Sequence, residues 1–285
     1  EAGHTVTIFD PQGFPAANAS FKAGGMLAPY AEIEHMPGYF LQACFASIDI
    51  WEKLSQTNDF EFSRSGSLVV AHPQDKHMLE RFTQHLNSHP RLVRGSGTTL
   101  VQQSCTPSGS PPISTTSLCR GDDIASLEPS LAGRFKDGLY LEGEAHLHPQ
   151  KAMRFLIEKL HNKVPQKLSG DFDLVIDCTG MASNDKDLRG VKGELLIVRN
   201  PGFTLTRPVR LMHPRYPLYI VPRADHHFMI GATNIEAQDD KNVTVQSAME
   251  LMSALITLHP SFAESSIVKV AADLQPMNPH AFYEL

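Results

Sequence analysis

Three apolar runs of strand length crowd the second half of the chain: "KGELLIVRN" (Lys192 to Asn200), "LYIVPRAD" (Leu218 to Asp225) and "HFMIGATNIE" (His227 to Glu236). The last two are separated only by the polar tip of "RADHH". A parallel return needs a crossover of about a dozen residues or more, so these two strands form an antiparallel hairpin. Two shorter runs are of another kind. "TVTIFD" (Thr5 to Asp10) is a buried-strand pattern ending in an acid, and "DFDLVIDCTG" (Asp171 to Gly180) is one ending in a glycine turn. That punctuation belongs to a nucleotide-binding α/β layer. The expectation is a mixed α/β (α+β) fold: a Rossmann-like three-layer domain interleaved with a second domain built on an antiparallel β-sheet.

The rest of the chain supplies covering helices. Apolar residues recur at helical spacing over Phe40–Leu54, an amphipathic helix is expected over Asp75–Leu86, and further helices over Gln150–Leu160 and Ser247–Pro260. A short helix starts near Ile124, with Asp122 and Asp123 at its N-terminus. Further strands are expected within Ser65–Pro73, Gly138–Pro149 and Val268–Pro276, and Ser88–Arg120, rich in Ser, Thr, Gly and Pro, reads as a long loop or insert. At 285 residues there is room for one large domain or two ordinary ones.

A formal net charge of −6 speaks against a nucleic-acid partner, which needs clustered Lys and Arg. No run approaches the roughly 18 apolar residues of a membrane span, and no basic-apolar secretory leader opens the chain. The scattered Cys44, Cys105, Cys119 and Cys178 contain no CxxC, so reduced thiols and a cytoplasmic setting are expected. His146 and His148 share one strand face, and His226 and His227 sit at the hairpin tip, but no third partner completes a metal site at either place.

Asp10 ends its strand where a nucleotide fold places the acid that binds a ribose hydroxyl; the alternative is an ordinary surface strand with an acidic end. The first strand and G-x-G-x-x-G turn that should precede it are missing, which suggests a lost N-terminal unit of roughly 25–30 residues.

Taken in order, "EAGHTVTIFD", "SFKAGGMLAPYAEIE", "FDLVIDCTG", "VKGELLIV" and "RPVRLMHPRYPLYIVPRADHHFMIGATNIE" resemble the FAD-dependent D-amino-acid oxidase superfamily, and within it the glycine oxidases of thiamine biosynthesis. The likeness covers Glu1–Leu86 and Asp123–Pro276. It implies FAD as cofactor, with Asp10, Ser20, Gly24, Gly25, Met26 and Gly180 as cofactor-binding residues. A glycine pair lets main-chain N–H groups approach a flat anionic ligand where a Cβ would clash; a plain turn is the other reading of Gly24-Gly25.

The resemblance also implies oxidation of an amine carbon to an imine, hydrolysis of that imine, and reduction of O2 to hydrogen peroxide. Tyr219 matches the substrate-side tyrosine. Arg223 ends the same motif and either meets substrate or pairs with a local acid such as Asp225. Glu32 matches an acid near the active site, or is a solvated loop glutamate. The carboxylate-binding arginine of the family falls in "DLQP" (Asp273 to Pro276), where this chain has Gln275. Replacing a charge-assisted pair by a neutral one costs about 1.5–3 kcal/mol. An adenine-contacting strand pair and a last flavin-binding segment are also missing, which fits either a partial sequence of a longer, active protein or a truncated, inactive one.

The expected division is a discontinuous FAD-binding domain at 1–35 and 145–195, and a substrate domain at 36–144 and 196–285. The expected substrate is glycine, a small amino acid or a secondary amine such as sarcosine. A tRNA-modifying flavin oxidoreductase and a non-catalytic remnant remain as alternatives. A homo-oligomer is expected from the family habit.

Overall fold

The computed structural model describes residues 3–9, 19–32, 40–88, 101–102, 116–160, 171–183, 185–214, 218–237 and 242–277. In chain order the helices are α1 (Ala19–Lys22), α2 (Phe40–Ser55), α3 (Lys76–Ser88), α4 (Gly121–Leu127), α5 (Pro149–Leu160) and α6 (Val245–Leu258). The strands are β1 (Met26–Leu27), β2 (Ser67–Ala71), β3 (Val101–Gln102), β4 (Thr116–Arg120), β5 (Asp137–Leu141), β6 (Ala145–His146), β7 (Arg189–Arg199), β8 (Val209–Met212), β9 (Leu218–Arg223), β10 (His227–Gly231) and β11 (Ser266–Met277).

Nine of these strands form one sheet in the order β11-β7-β10-β9-β8-β2-β5-β4-β3, and β1 pairs with β6 in a separate ribbon. The expected hairpin is present: β9 and β10 pair antiparallel, with His227 opposite Arg223. Its tip holds Asp225 and His226 at φ of 56° and 58°, a left-handed conformation that Asp and His tolerate better than most residues.

All five residues of β2 are buried, because the sheet is covered on both sides. Leu68 and Val70 enter the main core, while Val69 and Ala71 enter a second, as alternation along a strand requires. In the main core Leu251, Leu255 and Leu258 of α6 meet Leu196, Phe228 and Ile230 of the sheet. In the second, Leu79, Phe82 and Leu86 of α3 lie with Tyr30 and Leu41. Lys192 and Glu194, two apart on β7, form a buried ion pair at 2.9 Å. Lys192 also donates to the Asn242 carbonyl at 2.9 Å, which ties the sheet to the segment leading into α6.

The structure departs from expectation in four places. Residues 3–9 and 171–179 are not in strands, and Val6, Leu174, Val175 and Ile176 are 68–74% exposed. A β-branched run supplies propensity, but a strand exists only where a neighbour completes its hydrogen-bond ladder. Near the end of the second run Asp177 instead makes a local turn, accepting from Thr179 N at 2.8 Å and Ser183 Oγ at 2.9 Å. The stretch expected as a loop to Arg120 ends in β4, which pairs with β5. Cys119 is disulfide-bonded, against the expectation of reduced thiols, while Cys44 and Cys178 are free.

Candidate active site

A cavity of about 450 Å³ opens where α1, the segment after it, α2 and the sheet converge. Its lining includes Gly24, Gly25, Met26 and Glu32 from the first segment, Cys44 and Ile48 from α2, Tyr219 from β9 and Gln275 from β11. Six of the residues expected at the site are therefore brought together from positions up to 251 apart in sequence: Gly24, Gly25, Met26, Glu32, Tyr219 and Gln275. Ser20 is exposed on α1, between the lining residues Ala19 and Lys22. Gly180, at φ 59°, begins a turn that packs against β11 rather than lining the cavity. Asp10 lies outside the described residues.

Gly25 is where the chain needs a glycine most. Its φ is 73°, and a Cβ there would stand 2.2 Å from the Leu147 carbonyl oxygen. Its own carbonyl accepts from Leu147 N at 2.9 Å. Close approach of two backbone segments thus demands glycine, whatever lies in the cavity. At Gly24 the space for a Cβ is taken by the terminal methyl of Met229, a flexible side chain that can give way.

Arg223 lies behind this wall. Its guanidinium donates to the carbonyls of Leu147 and Gly24, so it clamps the glycine segment to the residue preceding His148. Burial brings this group down to about 10, which leaves it charged at neutral pH. Substrate and Asp225 were the expected partners of Arg223; these two hydrogen bonds go to main chain instead.

Across the cavity Lys22 pairs with Asp273 at 3.0 Å and donates to the Ala272 carbonyl at 3.1 Å, fastening α1 to β11. Burial, and then the Glu32 carboxylate, push the Cys44 thiol up, so it stays protonated and weakly nucleophilic. Among the described residues no group of three or more His, Cys, Asp and Glu is placed to hold a metal.

Two buried titratable groups stand beside the site with opposite pH signs. Burial raises Glu144 to about 7, opposed by hydrogen bonds from Ser67, Tyr30 N and Ala31 N and by the Arg210 charge. Burial, and then Arg223, lower His146 to about 4. A raised carboxyl contributes stability that is present below its unfolded value and lost as pH climbs through about 7. A depressed imidazole contributes stability that is present above its unfolded value and lost as pH falls through about 4. Between these limits the two slopes oppose each other, each worth about 3 kcal/mol in all. Burial lowers His148 and His259 in the same sense as His146, so the parent's urea midpoint is expected to fall from pH 7 to 5, with Glu144 offsetting part of the fall. In Glu144→Gln the midpoint should fall more steeply. Equal slopes in the two proteins would show that Glu144 does not titrate in this range.

The profile of the FAD dependent oxidoreductase family, DAO, matches residues 1–283. The chain belongs to this family. A Rhizobium etli protein bearing the name thiamine biosynthesis oxidoreductase ThiO is 37% identical over 286 aligned residues, which span 97% of this chain and 78% of that protein. Among solved structures, glycine oxidase from Geobacillus kaustophilus superposes with a TM-score of 0.68 at 18% identity, over 92% of this chain and 74% of that one. Iminodiacetate oxidase from Chelativorans sp. BNC1 superposes with a TM-score of 0.64 at 18% identity, over 98% of this chain and 79% of that one. At those identities the two structures establish the fold.

The residues present suit the family's flavin. Gly193, Gly231, Ala232, Ala271 and Ala272 join the glycine segment in a wall poor in side chains, which leaves main chain open to a flat ring. Bound there, FAD would supply the electron acceptance that no side chain of the site offers. The protein's own groups would bind and orient: Tyr219 with a hydroxyl, Gln275 with an amide, Glu32 with a carboxylate.

Sequence reasoning did not single out Lys22, Asp273, Arg210 or Glu144. A charged residue inside an apolar strand, as in "VRLM", is the one signal that could have pointed to Arg210.

Proposed function

We propose that this flavoenzyme oxidises the amine carbon of glycine, another small amino acid or a small secondary amine such as sarcosine. Two electrons and two protons leave the C–N bond to give an imine, and O2 takes them up as hydrogen peroxide. Water then converts the imine to a carbonyl compound and the free amine. The observation that carries this reading is one cavity in which the Gly24–Met26 main chain faces Tyr219, Gln275 and Glu32. Gly24, Gly25 and Met26 would lie along the flavin ring, with Ser20, Gly180 and Asp10 serving its nucleotide part. The likeness to the Rhizobium ThiO protein supports a place in thiamine biosynthesis.

The proposed division keeps 1–35 and 145–195 with the flavin and 36–144 and 196–285 with the substrate, in a homo-oligomer. The proposed setting is the cytoplasm, where Cys44 and Cys178 stay free; the disulfide at Cys119 weighs against it. No described helix is long and apolar enough to cross a membrane.

The expected result is a yellow protein after reconstitution with FAD, with flavin absorbance bands that bleach when glycine or sarcosine is added without oxygen. Peroxide should appear when oxygen is readmitted. Protein that takes up FAD but bleaches with no small amine would remove the substrate assignment, and failure to take up FAD would remove the reading as a whole.

A further inference from the structure

Beneath the cavity lies a charged layer that neither the fold nor the chemistry above accounts for. On β8, Val209 and Leu211 enter the main core, so Arg210 points to the opposite face, the side of α3. It is 5% exposed. Its guanidinium carbon sits 4.8 Å from the Phe82 ring centre and 5.5 Å from that of Tyr219. Tyr219 is its register partner on β9, so the two side chains leave the sheet together. An apolar residue would suit this core better, since burying a guanidinium is costly.

Glu144, in the turn between β5 and β6, shares that layer. It is 1% exposed and feels the Arg210 charge. One carboxylate oxygen accepts from Tyr30 N at 2.9 Å, and the other accepts from Ser67 Oγ. Tyr30 lies between Pro29 and Glu32, both of which line the cavity.

We propose that Arg210 and Glu144 are positioning residues: Arg210 fixes the Tyr219 ring, Glu144 fixes the Pro29–Glu32 turn, and one buried charged layer thereby sets two walls of the amine site. It rests on the reading that Tyr219 faces the substrate. A cation held against a ring face in a desolvated site restrains the ring's orientation, and a hydroxyl displaced by 1 Å loses much of its value to a bound substrate.

The test is a double-mutant cycle in the FAD-reconstituted enzyme. Arg210→Met is expected to raise KM for the amine about tenfold, with kcat changed far less. In a Tyr219→Leu background the same substitution should add little. Arg210→Lys keeps the cation without the planar face and should recover only part of the loss. A readout free of activity is the NMR spectrum of protein labelled with 13C at its 6 tyrosines, the Tyr219 ring signal being the one lost in Tyr219→Leu. That signal should move in Arg210→Met, and the Tyr30 signal should move in Glu144→Gln. Should Arg210→Met fail to fold, Arg210→Lys carries both measurements. Equal KM effects with and without the Tyr219 ring, or unmoved signals, would overturn the proposal alone. A Tyr219→Leu enzyme with unchanged KM would instead overturn the placement of substrate at Tyr219, and the proposal with it.

Discussion

Gly25→Ala is expected to destabilise the protein by about 3–5 kcal/mol, at the far end of what single substitutions do. Two costs combine. A left-handed φ of 73° costs an alanine about 1–2 kcal/mol. The new methyl would also stand 2.2 Å from the Leu147 oxygen and 2.9 Å from Pro149 Cδ, which forces β1 and the start of α5 apart. Gly133 provides the control, since it has φ 72° and a methyl added there would meet nothing within 4 Å. Gly133→Ala should therefore show the conformational cost alone, about 1–2 kcal/mol. Urea denaturation of both variants measures the difference, which belongs to the contact with Leu147. Equal losses would mean that the backbone approach is not tight. Because Gly25 lines the cavity, its variant should also lose FAD, and Gly133→Ala should not.

Arg223→Met is expected to cost about 2–4 kcal/mol, because two partly buried carbonyls, Gly24 and Leu147, lose a charged donor at once. Arg223→Lys should recover little, since one ammonium cannot reproduce a planar fork directed at two oxygens. The loss should appear as a weaker FAD dissociation constant as well as a lower urea midpoint. It should also appear at His146 and His148, whose imidazoles Arg223 holds down as the second cause after burial. Their titrations, followed by NMR, should move upward in Arg223→Met. Unshifted histidines with undiminished FAD affinity would mean that Arg223 is not the clamp of this wall.

The glycine segment and its clamp mark how far the sequence could be read. "AGGMLAP" displays its lack of side chains openly, and the strands around "RADHH" have the alternation and short turn of a hairpin, because both signals are local. Six of the site residues named from motifs do meet in one cavity. The use of Gly25 was not legible, because it depends on Leu147, more than a hundred residues later. Arg223 looked like a residue for substrate or for Asp225; it holds main chain instead, and only the fold brings Gly24 and Leu147 within its reach.

The exposed runs at Thr5–Phe9 and Asp171–Thr179 teach the converse. Their patterns are those of buried strands, yet burial and pairing are properties of neighbours, which no run of residues carries within itself. What the sequence determined alone is the family, the antiparallel hairpin, the covering helices and the chemical types present at the site. Tertiary structure decided which of those types touch. It set the buried Arg210 and Glu144 under Tyr219 and Tyr30, and it gave Arg223 the Gly24 and Leu147 carbonyls as partners, because contact, desolvation and charge coupling act across space between segments that the linear order keeps far apart.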